Sequence, residues 1–293
     1  MRAVAEYVMR GRTQALWVSV IGASSLMFSW VSAAVLALVT LRRGPQEGAY
    51  ILAWAVLPAG FLLAVFGDTG PLGVIVGTTA LAALLRWSAS WPLTLIGASL
   101  IGAITGMGLL LLGVNYLQQL AAIFTEFFAS IQGQLPQGED AVELKAPGIA
   151  TIAGMLGLMN AVSCVLCLLL ARWWQSLLYN PGGFRQEFHS IRFSPQLATG
   201  LVLLMIAIST FGLDYRPWAV LFAVPLSIAG LAFVHARAAR RKLGAGWLTI
   251  FYILWAVLDP VKLIVIGVAV ADSWIDFRSR WQQLSVKDDE DKD

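Results

Sequence analysis

Charge is what this chain has least of. Only 13% of its 293 residues are Asp, Glu, Lys or Arg and 58% are hydrophobic, against roughly 25% and about 45–50% in soluble domains. A water-soluble chain of this length could not cover its surface with so few polar groups, so an ordinary soluble fold is excluded. Cysteine is nearly absent as well. Cys164 and Cys167 both stand inside an apolar run, which excludes a disulfide framework. Their spacing lacks the second pair or nearby histidine that would complete a metal site. The two histidines, His189 and His235, have no nucleophile motif beside them. No P-loop or glycine-rich dinucleotide fingerprint is present, so any ATP hydrolysis would fall to another subunit. Neither an enzyme, a cofactor, a bound metal nor a nucleic-acid partner is expected.

What is present is a succession of apolar runs. Between Gln14 and Val270 there are about eight to ten of them, most roughly 17–25 residues long, the length a helix needs to cross a bilayer. The expected fold is all-α, a polytopic integral membrane helix bundle with about eight to ten transmembrane segments and the lipid bilayer as its main partner. One membrane-embedded domain is expected over residues 1–285, followed by a charged, disordered tail at 286–293. Basic residues fall in alternate gaps. Before the terminal segment, Arg2, Arg10, Arg12, Arg42, Arg43, Arg86, Arg172, Arg185, Arg192, Arg237, Arg240, Arg241 and Lys242 lie on one side, and only Lys145 and Arg216 on the other. The positive-inside rule makes the first side cytoplasmic, with the N-terminus there, and Arg278 and Arg280 draw the C-terminus to the same side. The first segment lacks a small-residue cleavage site and reads as a retained helix.

The run from Gln14 to Leu41 is too long for one untilted span and short for two. Arginines at both ends favour a hairpin turning near Ser29–Trp30, the alternative being one long tilted helix. Helices follow from about Gly48 to Phe66, from the Gly67–Pro71 turn to Leu85, and from Leu93 to Val114. Residues 115–131 form an amphipathic continuation. Residues 132–147, with Glu139, Asp140 and Glu143, form an external loop. A helix from about Gly148 to Leu170 returns to a cytoplasmic loop over Arg172–Ser194, and helices cover about 195–213 and 217–236. The last run, Trp247–Val270, is interrupted by Asp259 and Pro260 and is either a kinked span or a shallow hairpin. Asp259 and Lys262 would pair on a continuous helix or sit at the hairpin tip. Trp30, Trp87, Trp91, Trp173, Trp174, Trp218, Trp247 and Trp274 stand near helix ends, as an interfacial belt would place them.

Few residues suggest a site. Asn160, polar within an apolar helix, and the external carboxylates Asp68, Glu126 and Asp214 are candidate ligand contacts around an outward-facing cavity. Gly73-xxx-Gly77 and Gly102-xxx-Gly106 permit close helix contact. Ala15, Ser19 and Ala23 form a stripe of small residues that either packs within the bundle or docks another membrane subunit. Asn180, Gly182 and Gly183 supply turn chemistry. Phe184 and Phe188 flank Arg185 on a short amphipathic helix that either docks a partner or merely connects two helices.

The stretches Arg172-Trp173-Trp174-Gln175, Tyr179 to Phe188 and Asp272-Ser273-Trp274-Ile275-Asp276-Phe277-Arg278, with the helix layout, resemble the YybS-like family of bacterial membrane proteins. That family is similar in turn to the substrate-binding membrane subunits of energy-coupling factor transporters. The resemblance implies a transport-related, substrate-binding subunit of a bacterial inner membrane without its own ATPase. It also implies a coupling subunit docked on an early helix, where Ala15, Ser19 and Ala23 stand. The alternative is a membrane scaffold or assembly factor acting through its cytoplasmic loops.

Overall fold

The computed structural model describes residues 2–134 and 144–279. Among them the chain is all-α, with 15 helices including one short 3-10 turn. In order these are α1 (Arg2–Arg10), α2 (Arg12–Ala23), α3 (Ser29–Arg43), α4 (Pro45–Phe66), α5 (Gly70–Ser88), α6 (Trp91–Leu112) and α7 (Val114–Gln132). Then come α8 (Ile149–Tyr179), α9 (Gly183–Ser190), α10 (Pro195–Ser209), the 3-10 turn Leu213–Tyr215, α11 (Arg216–Leu221), α12 (Ala223–Arg240), α13 (Ala245–Val257) and α14 (Asp259–Ile275). Four helices, α4, α5, α6 and α8, are long and apolar enough to cross a membrane, and up to seven spans result if each of three broken helix pairs counts as one. That is fewer than the eight to ten expected, because the first run divides into helices too short to span and later runs pair into bent single units. At 22 residues, α4 and α6 are each about 33 Å long, enough for a hydrocarbon core of about 30 Å. Their outer faces carry large apolar side chains such as Leu57, Phe61, Leu100 and Leu111, each more than half exposed. Such a surface is a liability in water and ordinary against lipid. The expected tail at 286–293, Arg280 and the loop carboxylates Glu139, Asp140 and Glu143 lie outside the described residues.

The chain divides into two compact units, residues 1–181 with 206–221, and residues 182–205 with 222–293. In the first unit α3 and α8 form the core. Every residue of α3 from Ser32 to Leu41 is buried, and α8 touches α1, α3, α5, α6, α7 and α11. The Gln14–Leu41 run is broken, as a hairpin requires, but at residues 24–28, just before Ser29. Its two arms are joined by the Ser32 hydroxyl donating to the Ser19 carbonyl at 2.8 Å. Small residues let backbones touch. A Cβ on Gly102 would stand 2.6 Å from the Gly157 carbonyl oxygen, and one on Gly106 would stand 2.8 Å from that of Ala153, so α6 and α8 meet almost backbone to backbone.

One end of this unit gathers arginines. Arg43 donates to the Met9 carbonyl at 2.8 Å, Arg86 donates to the Leu41 carbonyl, Arg12 pairs with Glu47 at 3.0 Å, and Arg42 lies over the Tyr179 ring. Arg43 and Arg86 stand in the last turns of α3 and α5, where a cation complements the helix dipole.

The second unit is built on α12, which packs against α9 and α14, with α13 against α14. A Cβ on Gly230 of α12 would run into the Val265 carbonyl of α14. The α13 and α14 axes are bent by 110° at Leu258, whose extended backbone separates the helices, while Pro260 stands in the first turn of α14 where its missing N–H has no helical partner to lose. Asp259 and Lys262 pair at 2.8 Å in the exposed first turn of α14.

Two further expectations change. The cytoplasmic loop expected from Arg172 begins only at Asn180, because α8 runs on to Tyr179. Arg172 bonds Gln175 at 2.5 Å along the helix, Trp174 is buried, and no helix breaker occurs before Asn180-Pro181-Gly182. The tryptophan belt is also incomplete. Trp91, Trp174 and Trp218 are buried, and Trp218 Nε1 donates to the Ala150 carbonyl at 2.9 Å, whereas Trp87, Trp247 and Trp274 are exposed.

Candidate functional site

A groove of the first unit lies at the end remote from the arginines. It starts from glycine spacing on α5. Leu72, Gly73, Val76, Gly77 and Ala80 share one helical stripe, and opposite them Ile101, Ile104, Thr105, Gly108 and Leu112 share a stripe of α6. Between the two runs an open groove of about 710 Å³, closed at one end by Gly67, Thr69, Asn115 and Tyr116. That volume is within the roughly 300–1,000 Å³ typical of small-molecule sites.

Polar groups are few and concentrated. Asn160 of α8 is buried behind the α5 stripe. Its side-chain amide donates to Thr105 Oγ1 at 2.9 Å, and Thr105 in turn donates to the Ile101 carbonyl at 2.8 Å. A Cβ on Gly73 would come within 3.0 Å of Asn160 Oδ1, and one on Gly77 within 2.7 Å of Cys164 Sγ. These glycines therefore let α8 press its polar side chains against the groove wall. Gly108 is different, since a Cβ there would meet nothing within 4 Å. At the closed end, Gly67 adopts φ 70° and caps α4, and Asp68 accepts from the Gly70 amide at 2.8 Å. The Tyr116 phenol is pushed above its ordinary value by burial and by the Asp68 carboxylate. It stays a neutral hydroxyl, able to donate to a ligand.

None of the sequence candidates lines the groove itself: Asn160 reaches it only through its bond to Thr105, and Asp68 sits in the turn beside Thr69. Asp214 and Glu126 stand elsewhere: Asp214 accepts from Thr151 Oγ1 at 2.9 Å, and Glu126 is exposed on α7. Sequence reasoning missed Thr105, Asn115 and Tyr116. The only signal for Thr105 was its place within Gly102-xxx-Gly106, and nothing marked Tyr116.

The docking candidates also find places. Ala15, Ser19 and Ala23 are all 0% exposed. The stripe is taken up by packing of α2 inside the unit, the first of the two alternatives its spacing allows. The short amphipathic helix is α9. Phe188 packs edge-on against His235 at 5.5 Å and Phe184 sits 5.9 Å from Phe188, so the apolar face is turned into the second unit. Asn180, Gly182 and Arg185 are exposed, Gly183 is partly so, and Gly182 adopts φ 88°. The histidines converge within that unit, their ring centroids 6.4 Å apart, with His235 Nε2 2.7 Å from the Tyr252 hydroxyl. Among the described residues no three His, Cys, Asp or Glu side chains gather as metal ligands would.

Comparison of the chain with known protein families, with curated proteins and with solved structures returns no match.

Proposed function

We propose that this chain is an integral membrane protein that captures an apolar or amphiphilic small molecule in the α5–α6 groove, as the ligand-binding subunit of a transport system that takes its energy from elsewhere. One observation carries the reading: an open groove of about 710 Å³ with apolar walls and polar groups at one closed end. In this reading the arginine-rich helix ends lie in the cytoplasm of a bacterial inner membrane and the closed end of the groove lies toward the outer face. An acyl chain that leaves the bilayer for an apolar groove gains little, because lipid is as apolar as leucine. Selection among ligands therefore falls to Thr69, Asn115 and Tyr116, with Asp68 beside them. The sequence resemblance to energy-coupling factor substrate-binding subunits supports the transport role.

Native mass spectrometry of protein released from native-lipid nanodiscs tests it. The wild-type chain should carry a bound small molecule, and Gly108→Leu, whose Cβ meets nothing within 4 Å and whose side chain would enter the groove, should release it while keeping the melting temperature. A wild-type chain without bound mass would end the proposal.

A second reading, a scaffold acting through the segment 180–188, draws on the exposed Asn180-Pro181-Gly182 turn and Arg185. Photo-cross-linking from position 185 that recovers no protein would remove it.

A further inference from the structure

The second unit holds a polar cavity that the ligand-capture reading does not use. It measures about 440 Å³ and is walled by α9, the residues after it, α12 and the segment following α14. Three guanidiniums, those of Arg192, Arg240 and Arg278, line it against one carboxylate, that of Asp276. The lining therefore carries two net positive charges with His189 neutral.

Two of these arginines are held in place. Arg278 Nε lies 3.2 Å from Asp272 Oδ2, a carboxylate only 2% exposed, and its Nη groups donate to the His189 and Ile191 carbonyls. Arg192 Nη1 pairs with Asp276 at 2.5 Å and Nη2 reaches the Ser273 carbonyl at 3.4 Å. The two acids themselves are braced by backbone amides: Phe277 donates to Asp272 and Ser279 to Asp276. These bonds use only part of each guanidinium's five N–H groups. Arg192 Nε is buried and has no hydrogen-bond partner among the described residues. Rigid, partly desolvated guanidiniums in a concave wall suit an oxyanion with several acceptor oxygens better than a carboxylate or a cation.

Position narrows the chemistry further. Arg240 ends α12, Asp276 follows the last residue of α14, and Arg192 stands three residues before α10 begins. Three apolar segments thus begin or end around the cavity, which puts it at the depth of lipid phosphates if these segments enter the bilayer. We propose that this cavity is a binding site for a phosphate group of net negative charge, whether on a lipid headgroup or free in solution.

The purified full chain in nanodiscs tests the proposal with two probes. One is phosphatidylglycerol doped into phosphatidylcholine discs, scored by the lipid retained in native mass spectrometry. The other is inorganic phosphate titrated at constant ionic strength, scored by thermal shift. Arg240→Gln should weaken the responsive probe about tenfold, while Arg241→Gln, one residue outside the cavity, should leave it unchanged. Gln186→Glu, which adds a carboxylate to the wall from an exposed position, should weaken it at least as much and serves if Arg240→Gln misfolds. A response to phosphatidylglycerol alone assigns the lipid source, and a response to inorganic phosphate assigns the free anion. If neither probe binds, or Arg241→Gln weakens binding as much as Arg240→Gln, the charge acts diffusely and the site does not exist. None of these variants touches the α5–α6 groove, so the two proposals fail separately.

Discussion

In the first unit α6 and α8 meet glycine to glycine, Gly102 against Gly157. The second unit has one such approach, Gly230 of α12 against the Val265 carbonyl, but there α14 and the residues after α9 are also joined through the pairs Arg192–Asp276 and Arg278–Asp272. A backbone joint is held by dispersion and has no charge to titrate, but it tolerates no added atom. An ionic joint tolerates shape changes, but loses most when one partner alone is removed. The first kind leaves room beside it for an apolar groove. The second leaves spare hydrogen-bond donors beside a polar cavity.

The contrast can be broken most sharply in the second unit. Asp272→Ala strands the mostly buried Arg278 and should cost about 3 kcal/mol or more, read as a lower melting temperature. The double change Asp272→Leu with Arg278→Met should recover most of that loss. Full recovery failing in a well-folded double variant would mean that the pair does more than join helices. Next comes the backbone joint. Gly157→Ala places a Cβ against the Gly102 carbonyl and should cost about 1–3 kcal/mol by overpacking. Gly267→Ala on α14, where a Cβ meets nothing within 4 Å, should be neutral or slightly stabilising. Equal effects at the two glycines would refute the close α6–α8 contact.

Acid sharpens the comparison with a smaller effect. Burial raises the Asp276 carboxyl, but bonds from Arg192 and Ser279 outweigh it and hold the group below its ordinary value of 3.8. A carboxyl lowered by folding contributes stability fully present above its unfolded value and lost as pH falls through the folded one. Melting temperature followed below pH 3.8 should therefore show a decline that is shallower in Asp276→Asn. An unchanged decline would mean that the Arg192–Asp276 pair is not formed.

Much of the fold was legible because lipid imposes long apolar runs and charge marks their ends. The α2–α3 break follows from arginine placement, the amphipathic α7 from the spacing of Leu117, Leu120, Phe124, Phe127 and Ile131, and the short α9 from that of Phe184 and Phe188. The extension of α8 past Arg172 was not legible, since a single arginine can bond along its own helix and need not end it. The inward turn of Ala15, Ser19 and Ala23 was also hidden, because a small-residue stripe looks the same whether its partner is α3 or another chain. Asn160 stood out as a polar residue in an apolar helix, but Thr105, its partner 55 residues earlier, could be found only by folding. The Asp272–Arg278 stretch was noticed as a motif, whereas its convergence with α9 needed coordinates.

The most direct test of ligand capture compares two open glycines, one in each unit. Dansyl-undecanoic acid, an amphiphile with a fluorescent group, is titrated into the wild-type chain, Gly108→Leu and Gly267→Leu in neutral detergent. The account predicts saturable fluorescence enhancement in the wild type and in Gly267→Leu, with binding weakened at least about tenfold in Gly108→Leu. Equal binding by all three chains would contradict it.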